Sequence, residues 1–262
     1  MLRSVKELQR FSIRAADGNI GGVDEFYFDD ERWVLRYLVV DTGKWLPGRR
    51  VLISPHHLSH PDWAQQTIEL TITRDQVKNA PDIDTHKPVS RQQELAYYGY
   101  YGLPPYWTGP ALWGAAPYPM IASPAVIAAT DRHVRDEQAR AAAQGDDHLR
   151  STREVMGYTL DASDGELGKI DDFLIEDDTW AFRYLVINTS QWWWGKRVLI
   201  PPAWITSIAW AKHTAYCRVT REQVKASPPY DHAAHLDRQW EEDYFLHYGL
   251  EPYWKGDIPT PP

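Results

Sequence analysis

The sequence predicts a mainly β protein: two small antiparallel β-barrels in tandem, each with a short C-terminal helical tail, joined by an Ala/Pro-rich, partly helical linker. Three observations predict it. Ser4–Gly109 and Ser151–Gly256 align without an insertion or deletion at roughly 40% identity, a self-similarity far beyond shared composition. Each copy, at about 106 residues, has the size of an independent domain rather than of a solenoid unit. Within each copy, short β-branched and aromatic runs are separated by turn chemistry, and so many short strands favour a sheet curled on itself, because a flat one exposes long unpaired edges. The expected division is residues 1–109 for the first barrel and its tail, 110–150 for the linker and 151–262 for the second barrel and its tail.

The first strand, Phe11–Arg14, runs into Asp17-Gly18, and its twin Tyr158–Asp161 runs into Asp164-Gly165. Asp-Gly between strand-like runs is a hairpin signal. Gly21/Gly168 and Asp24/Asp171 then precede a second strand in which Val23, Phe26 and Phe28 match Ile170, Phe173 and Ile175. An acidic turn leads to the third, Trp33–Val40 and Trp180–Ile187, whose side chains suit a pleated surface. The fourth, Arg50–Ile53 and Arg197–Ile200, is stopped by Pro55 and Pro202, which cannot donate to a ladder. The fifth, Thr67–Ile72 and Thr214–Val219, ends where Thr73 or Thr220 caps a helix and Gln76 or Gln223 completes the capping box.

Beyond Pro81 and Pro228, the helical stretches Arg91–Tyr98 and Arg238–Phe245 end in Tyr-Gly-Leu-x-Pro-Tyr-Trp, where glycine followed by proline is a stop signal. The linker opens with Pro110, Pro117, Pro119 and Pro124 and continues into Asp131–Gln144, whose Ala, Arg, Glu and Gln favour helix. Its apolar residues, Leu112 and Trp113 among them, are expected to cover a barrel wall. A linker of this length lets a tail pack on its own copy, on the other, or on another chain.

The runs Arg36–Pro55 (RYLVVDTGKWLPGRRVLISP) and Arg183–Pro202 (RYLVINTSQWWWGKRVLIPP) follow an Asp-Gly-x-x-Gly-x-x-Asp-x-Phe pattern at Asp17–Phe26 and Asp164–Phe173. Together they resemble PRC-barrel domains, the β-barrel module of the cytoplasmic part of the photosynthetic reaction-centre H subunit and of the C-terminal half of the ribosome maturation factor. The resemblance covers most of both repeats but not the linker. It implies a compact barrel used as an assembly or adaptor module, and it brings no catalytic residue to this chain.

Composition sets limits on function. With 28 Lys+Arg against 36 Asp+Glu, the net charge of −8 gives no general attraction to nucleic acid or anionic lipid. The apolar runs fall short of a membrane span and the N-terminus lacks the apolar core of a signal peptide, so a cytoplasmic location is expected. Cys217, the single cysteine, has Leu70 as its counterpart and reads as a small buried hydrophobe. His56, His57 and His60 become Ala203, Trp204 and Ser207 in the other copy, and His232 and His235 match Thr85 and Pro88. Asp161, Asp164 and Glu166 lack calcium-loop spacing, so neither a metal nor a cofactor is expected. No Ser/His/Asp set or phosphate-cradling glycine loop recurs in both halves; no catalytic residue is assigned.

The shared polar and aromatic residues carry the functional expectation. Arg36 and Arg183 lie mid-strand in phase with apolar residues, and a buried arginine demands an acidic partner. Asp24/Asp171 and Asp30/Asp177 are the candidates, and structural ion pairs Arg36–Asp24 and Arg183–Asp171 are expected. Trp45 and Trp192, Trp193 and Trp194 put an apolar tip on the turn between the third and fourth strands, while Trp107 and Trp254 close the tails. An apolar tip rimmed by Lys and Arg marks a protein interface. The expected function is a non-enzymatic interaction or scaffold protein, self-associating as a homodimer, with those six tryptophans contacting the partner. Two alternatives stand beside it: a ligand-binding or enzymatic pocket at the junction of the barrels, lined by His56, His57, His60, His232 and Tyr230, and a peripheral adaptor of a photosynthetic or other membrane complex.

Overall fold

The computed structural model describes residues 1–81, 89–120, 149–189, 196–231, 236–249 and 251–255. In chain order the strands are β1 (Leu2–Ser4), β2 (Ser12–Ala15), β3 (Gly18–Asp29), β4 (Val34–Asp41), β5 (Arg50–Ile53), β6 (Thr67–Glu69), β7 (Leu149–Ser151), β8 (Thr159–Ala162), β9 (Gly165–Glu176), β10 (Phe182–Asn188), β11 (Arg197–Ile200), β12 (Ile205–Ala209) and β13 (Thr214–Cys217). The helices are α1 (Val5–Leu8), α2 (Arg74–Asn79), α3 (Arg91–Tyr101), α4 (Thr152–Val155), α5 (Arg221–Ala226) and α6 (Arg238–His247). The expected helix at Asp131–Gln144, the residues Trp192, Trp193 and Trp194, and His232 and His235 lie outside the described residues.

The chain is mainly β and forms two compact units. The first unit comprises Glu7–Thr152 and Asp178–Ala181; the second comprises Met1–Lys6, Arg153–Asp177 and Phe182–Pro262. These bounds cut across the expected 1–109 and 151–262 division, because each unit takes in short segments of the other repeat.

In the first unit the sheet order is β5-β4-β3-β2-β6, with β7 also on β3. The Asp-Gly turn closes the expected β2–β3 hairpin, and β3 then runs on to pair with β4. At Gly21 the backbone has φ 145°, and a Cβ there would collide with the Asp41 carbonyl, so only glycine lets β3 pass this close to the end of β4. Phe26, Phe28, Leu38, Val40, Ile53 and Ile68 fill the core.

The antiparallel expectation needs correction here. β6 pairs with β2 in parallel, Ser12 opposite Thr67, because the chain leaves β5 through a short 3-10 turn at Pro55–His57 and crosses over rather than doubling back. The sheet is therefore mixed. Its hydrogen-bonded path ends at β5 and β6, and among the described residues no strand pairing closes it into a ring.

The second unit repeats this plan with β11-β10-β9-β8-β13-β12 and β1 on β9. β13 lies parallel to β8, and β12 adds an antiparallel edge that the sequence did not signal. Gly168, at φ 147°, makes the same close approach to Asn188.

The opening strand of each repeat belongs to the other repeat's sheet. Leu2, Arg3 and Ser4 pair with Glu176, Ile175 and Leu174, and Leu149, Arg150 and Ser151 pair with Asp29, Phe28 and Tyr27. Side chains repeat the exchange. Ser4 donates to Asp172 as Ser151 does to Glu25, and Arg3 meets Asp177 at 3.3 Å as Arg150 meets Asp30 at 3.0 Å.

Candidate functional site

The helical tail of each repeat is fastened by one buried acid. Ser90 caps α3 in a capping box with Gln93, and the helix then lays Glu94, Tyr97 and Tyr98 into the interior of the first unit. Glu94 is fully buried and accepts from Tyr37 Oη at 3.0 Å, Tyr106 Oη at 3.0 Å and Arg91 Nη1 at 3.1 Å. Burial, reinforced by the neighbouring Glu94, pushes the Tyr37 phenol well above its ordinary range. Arg91 also covers the Trp107 ring at 4.0 Å, so the end of the tail is clamped to the start of its helix.

The second unit reproduces the arrangement. Glu241 accepts from Tyr184 at 3.0 Å, Tyr253 at 3.1 Å and Arg238 at 3.2 Å, and Arg238 covers Trp254 at 4.2 Å. Burial raises the Glu241 carboxyl despite these hydrogen bonds. Sequence reasoning passed over Tyr37/Tyr184 and Glu94/Glu241. The signal available was an acid kept at the same helical position in both copies, among aromatic residues.

The expected ion pairs are replaced by others. Arg36 is fully buried and donates to Asp29 Oδ2 at 2.9 Å and to Leu112 O at 2.7 Å, its guanidinium lying 3.7 Å from the Tyr106 ring centre and 4.8 Å from that of Trp113. Arg183 pairs with Glu176, at the position equivalent to Asp29, and lies over Tyr253 at 4.2 Å. Asp24 instead faces Arg50 at 3.2 Å, and Asp171 meets Arg197 at 3.0 Å and Lys6 at 2.6 Å. Strand register explains the difference. Asp29 stands opposite Val34, two residues from Arg36, whereas Asp24 occupies a bulge beside Val39 and Val40 at the far end of β4.

Of the six tryptophans expected at an interface, the three described, Trp45, Trp107 and Trp254, are half-buried. Trp45 sits in the β4–β5 loop with the Arg74 guanidinium 4.9 Å from its ring centre, and Thr42 steadies that loop by donating to Leu46 O at 2.6 Å. Trp107 follows α3 and Trp254 follows α6, each beneath its own helix's arginine. Among the described residues Leu246, at 76%, is the large apolar side chain most open to solvent, followed by Met1, Met120, Tyr118 and Tyr100.

The histidines part company. His56 is buried against Trp113 at 4.9 Å with its Nδ1 3.0 Å from Ser54 Oγ, and burial, with the charges of His57 and Arg36, lowers it to about 3. His57 is buried with its ring 4.3 Å from that of Tyr101, and burial lowers it to about 4. His60 is exposed, and Tyr230 belongs to the second unit, where its N–H donates to Arg197 O at 2.8 Å. Burial raises the Cys217 thiol to about 11, which leaves it a poor nucleophile. Among the described residues no group of three or more His, Cys, Asp or Glu side chains is placed to hold a metal, and no helix is long and apolar enough to cross a membrane.

Comparison with protein-family models and with curated proteins returned no match for this chain.

Proposed function

We propose that the chain is a non-enzymatic protein-interaction or scaffold protein built from two PRC-type β-barrels and self-associating as a homodimer. One observation carries this reading. The polar residues that the two repeats hold in common are spent on internal structure: Tyr37, Glu94, Tyr106 and Arg91 fasten one tail, and Tyr184, Glu241, Tyr253 and Arg238 fasten the other with the same bonds. What duplication kept is thus a shape, which suits a module that presents a surface. The close approach at Gly21 and Gly168, which lets a long strand pass the end of its neighbour, supports a strongly curled sheet of the barrel type, and the apolar Trp45 loop, with Leu46 half-buried and Pro47 exposed, supports an interface at that tip.

The test is Trp45→Ala combined with Trp192→Ala and Trp193→Ala, followed by sedimentation velocity and circular dichroism. The expected result is a shift from dimer to monomer with an unchanged β spectrum. Wild-type protein that sediments as a monomer, or a variant that associates as the wild type does, overturns the reading.

A further inference from the structure

The tail helices α3 and α6 agree on the side that faces the core and part company on the side that faces water. Inward, Glu241 and Tyr244 stand for Glu94 and Tyr97, all four buried. Outward, Asp243 and Leu246 replace Ala96 and Gly99, all four exposed. Helix residues three and four apart are neighbours, so Asp243 and Glu242 flank Leu246. Asp243 accepts from Gln239 Nε2 at 3.2 Å, and the half-buried Glu242 meets Lys255 at 3.0 Å. The second repeat thus adds to its helix an apolar knob between two acids, which the fastening of the tail does not use. A lone exposed leucine is ordinary on a protein surface; what gives this one meaning is a complement elsewhere on the chain.

The Trp45 loop is that complement. From Thr42 to Gly48 its single charge is the exposed Lys44, and Trp45, Leu46 and Pro47 follow it directly. Arg74 brings a second positive charge to 4.9 Å from the Trp45 ring centre. The acids nearby do not cancel these two. Asp41 accepts from Gly43 N at 2.8 Å and Asp17 from Arg74 N at 2.7 Å, while Asp75 is offset by Lys78, both exposed on α2. We propose that this loop docks on the outward face of α6 in a second copy of the chain, with Trp45, Leu46 and Pro47 against Leu246 and with Lys44 and Arg74 facing Glu242 and Asp243. The inference rests on the self-association proposed above and names the surface that receives the tip. Tip and knob are unlike surfaces, so a two-fold dimer makes the contact twice. The apolar residues supply most of the affinity, and the charges fix the orientation.

The full chain and its variants are followed by sedimentation velocity over a concentration series, with circular dichroism to check the fold. Leu246→Ala should raise the dimer dissociation constant at least roughly tenfold, since the side chain is lost from both contacts. Asp243→Lys should weaken association, more at low salt than at high, and adding Lys44→Glu to it should restore what was lost. Ala96→Lys, at the equivalent position of α3, should leave association unchanged. The inference fails if Leu246→Ala associates as the wild type does, if the charge exchange recovers nothing, or if Ala96→Lys weakens association as much as Asp243→Lys. Should Leu246→Ala disturb the fold, the charge exchange decides alone. A wild-type chain that stays monomeric overturns this contact together with self-association; a wild-type dimer indifferent to Leu246 and Asp243 overturns this contact only.

Discussion

Ser4 and Ser151 occupy equivalent places in two different sheets, and neither sheet is the one its own repeat builds. Ser4 donates to Asp172 of the second repeat and Ser151 to Glu25 of the first, each at the end of a three-residue strand paired with that sheet. The exchange is reciprocal in backbone, hydroxyl and ion pair alike.

Because each unit contains chain from both repeats, cutting between them should not release two independent halves. A protease site placed between Met120 and Leu149, once cleaved, should leave fragments that co-elute at the position of the uncut protein and separate only in denaturant. Fragments that elute apart under native conditions count against the exchange.

The two acid nodes have the same partners but different exposure, and that sets an order. Arg91 is 13% exposed beside Glu94, whereas Arg238 is 55% exposed beside Glu241. Removing Glu94 strands a nearly buried guanidinium and two phenols, so Glu94→Ala should cost about 3–5 kcal/mol, and Glu241→Ala less, because water reaches Arg238. Urea midpoints of the two variants check the ranking; equal losses, or a larger loss at Glu241, contradict it.

Acid should weaken the first unit through its buried imidazoles. His56 and His57 are held at about 3 and about 4 inside the fold, against an ordinary 6.5. As pH falls below about 6.5 the unfolded chain takes up protons that the folded chain refuses, so stability drops by up to ~1.4 kcal/mol per pH unit for each ring; above that pH these groups add no slope. Asp172 and Glu241, both raised by burial, act in the opposite sense in the second unit: acidification relieves the cost of their charge. Exchanging His56 and His57 for Ala and Trp, the residues of the other repeat, should flatten the dependence of the urea midpoint between about pH 5 and 7. An unaltered slope would assign the effect elsewhere.

Gly21→Ala should destabilise the first unit by more than the about 1 kcal/mol of an ordinary glycine-to-alanine strain, because the new methyl meets the Asp41 backbone, which cannot swing aside. Gly43→Ala, also at positive φ but with open space around its Cβ position, is the control and should cost less. Thermal midpoints compare them directly.

The hairpins, the capping boxes at Thr73 and Thr220 and the helical tails were readable because each depends on residues within a few positions of one another. The parallel β2–β6 contact was not, since a crossover and a hairpin return use the same kind of strand and differ only in where the loop goes. The partner of Arg36 was misjudged for a related reason. Asp24 and Asp29 are both acids near a buried arginine in sequence, and only strand register tells which of them lies beside it. The exchanged strands, Leu2–Ser4 and Leu149–Ser151, are three residues each and lack enough pattern to be seen. At the site, the tryptophans and histidines drew notice by type, whereas Glu94 and Glu241 looked like ordinary surface acids of a helix.

For the order of assembly during synthesis, the exchange has a plain consequence. Leu2–Ser4 leaves the ribosome well before its pairing partners, Leu174–Glu176, which emerge only after the whole first repeat and the linker have been made. That strand must therefore wait unpaired until β9 has been made, so the edge it covers is sealed long after the strand itself is synthesised.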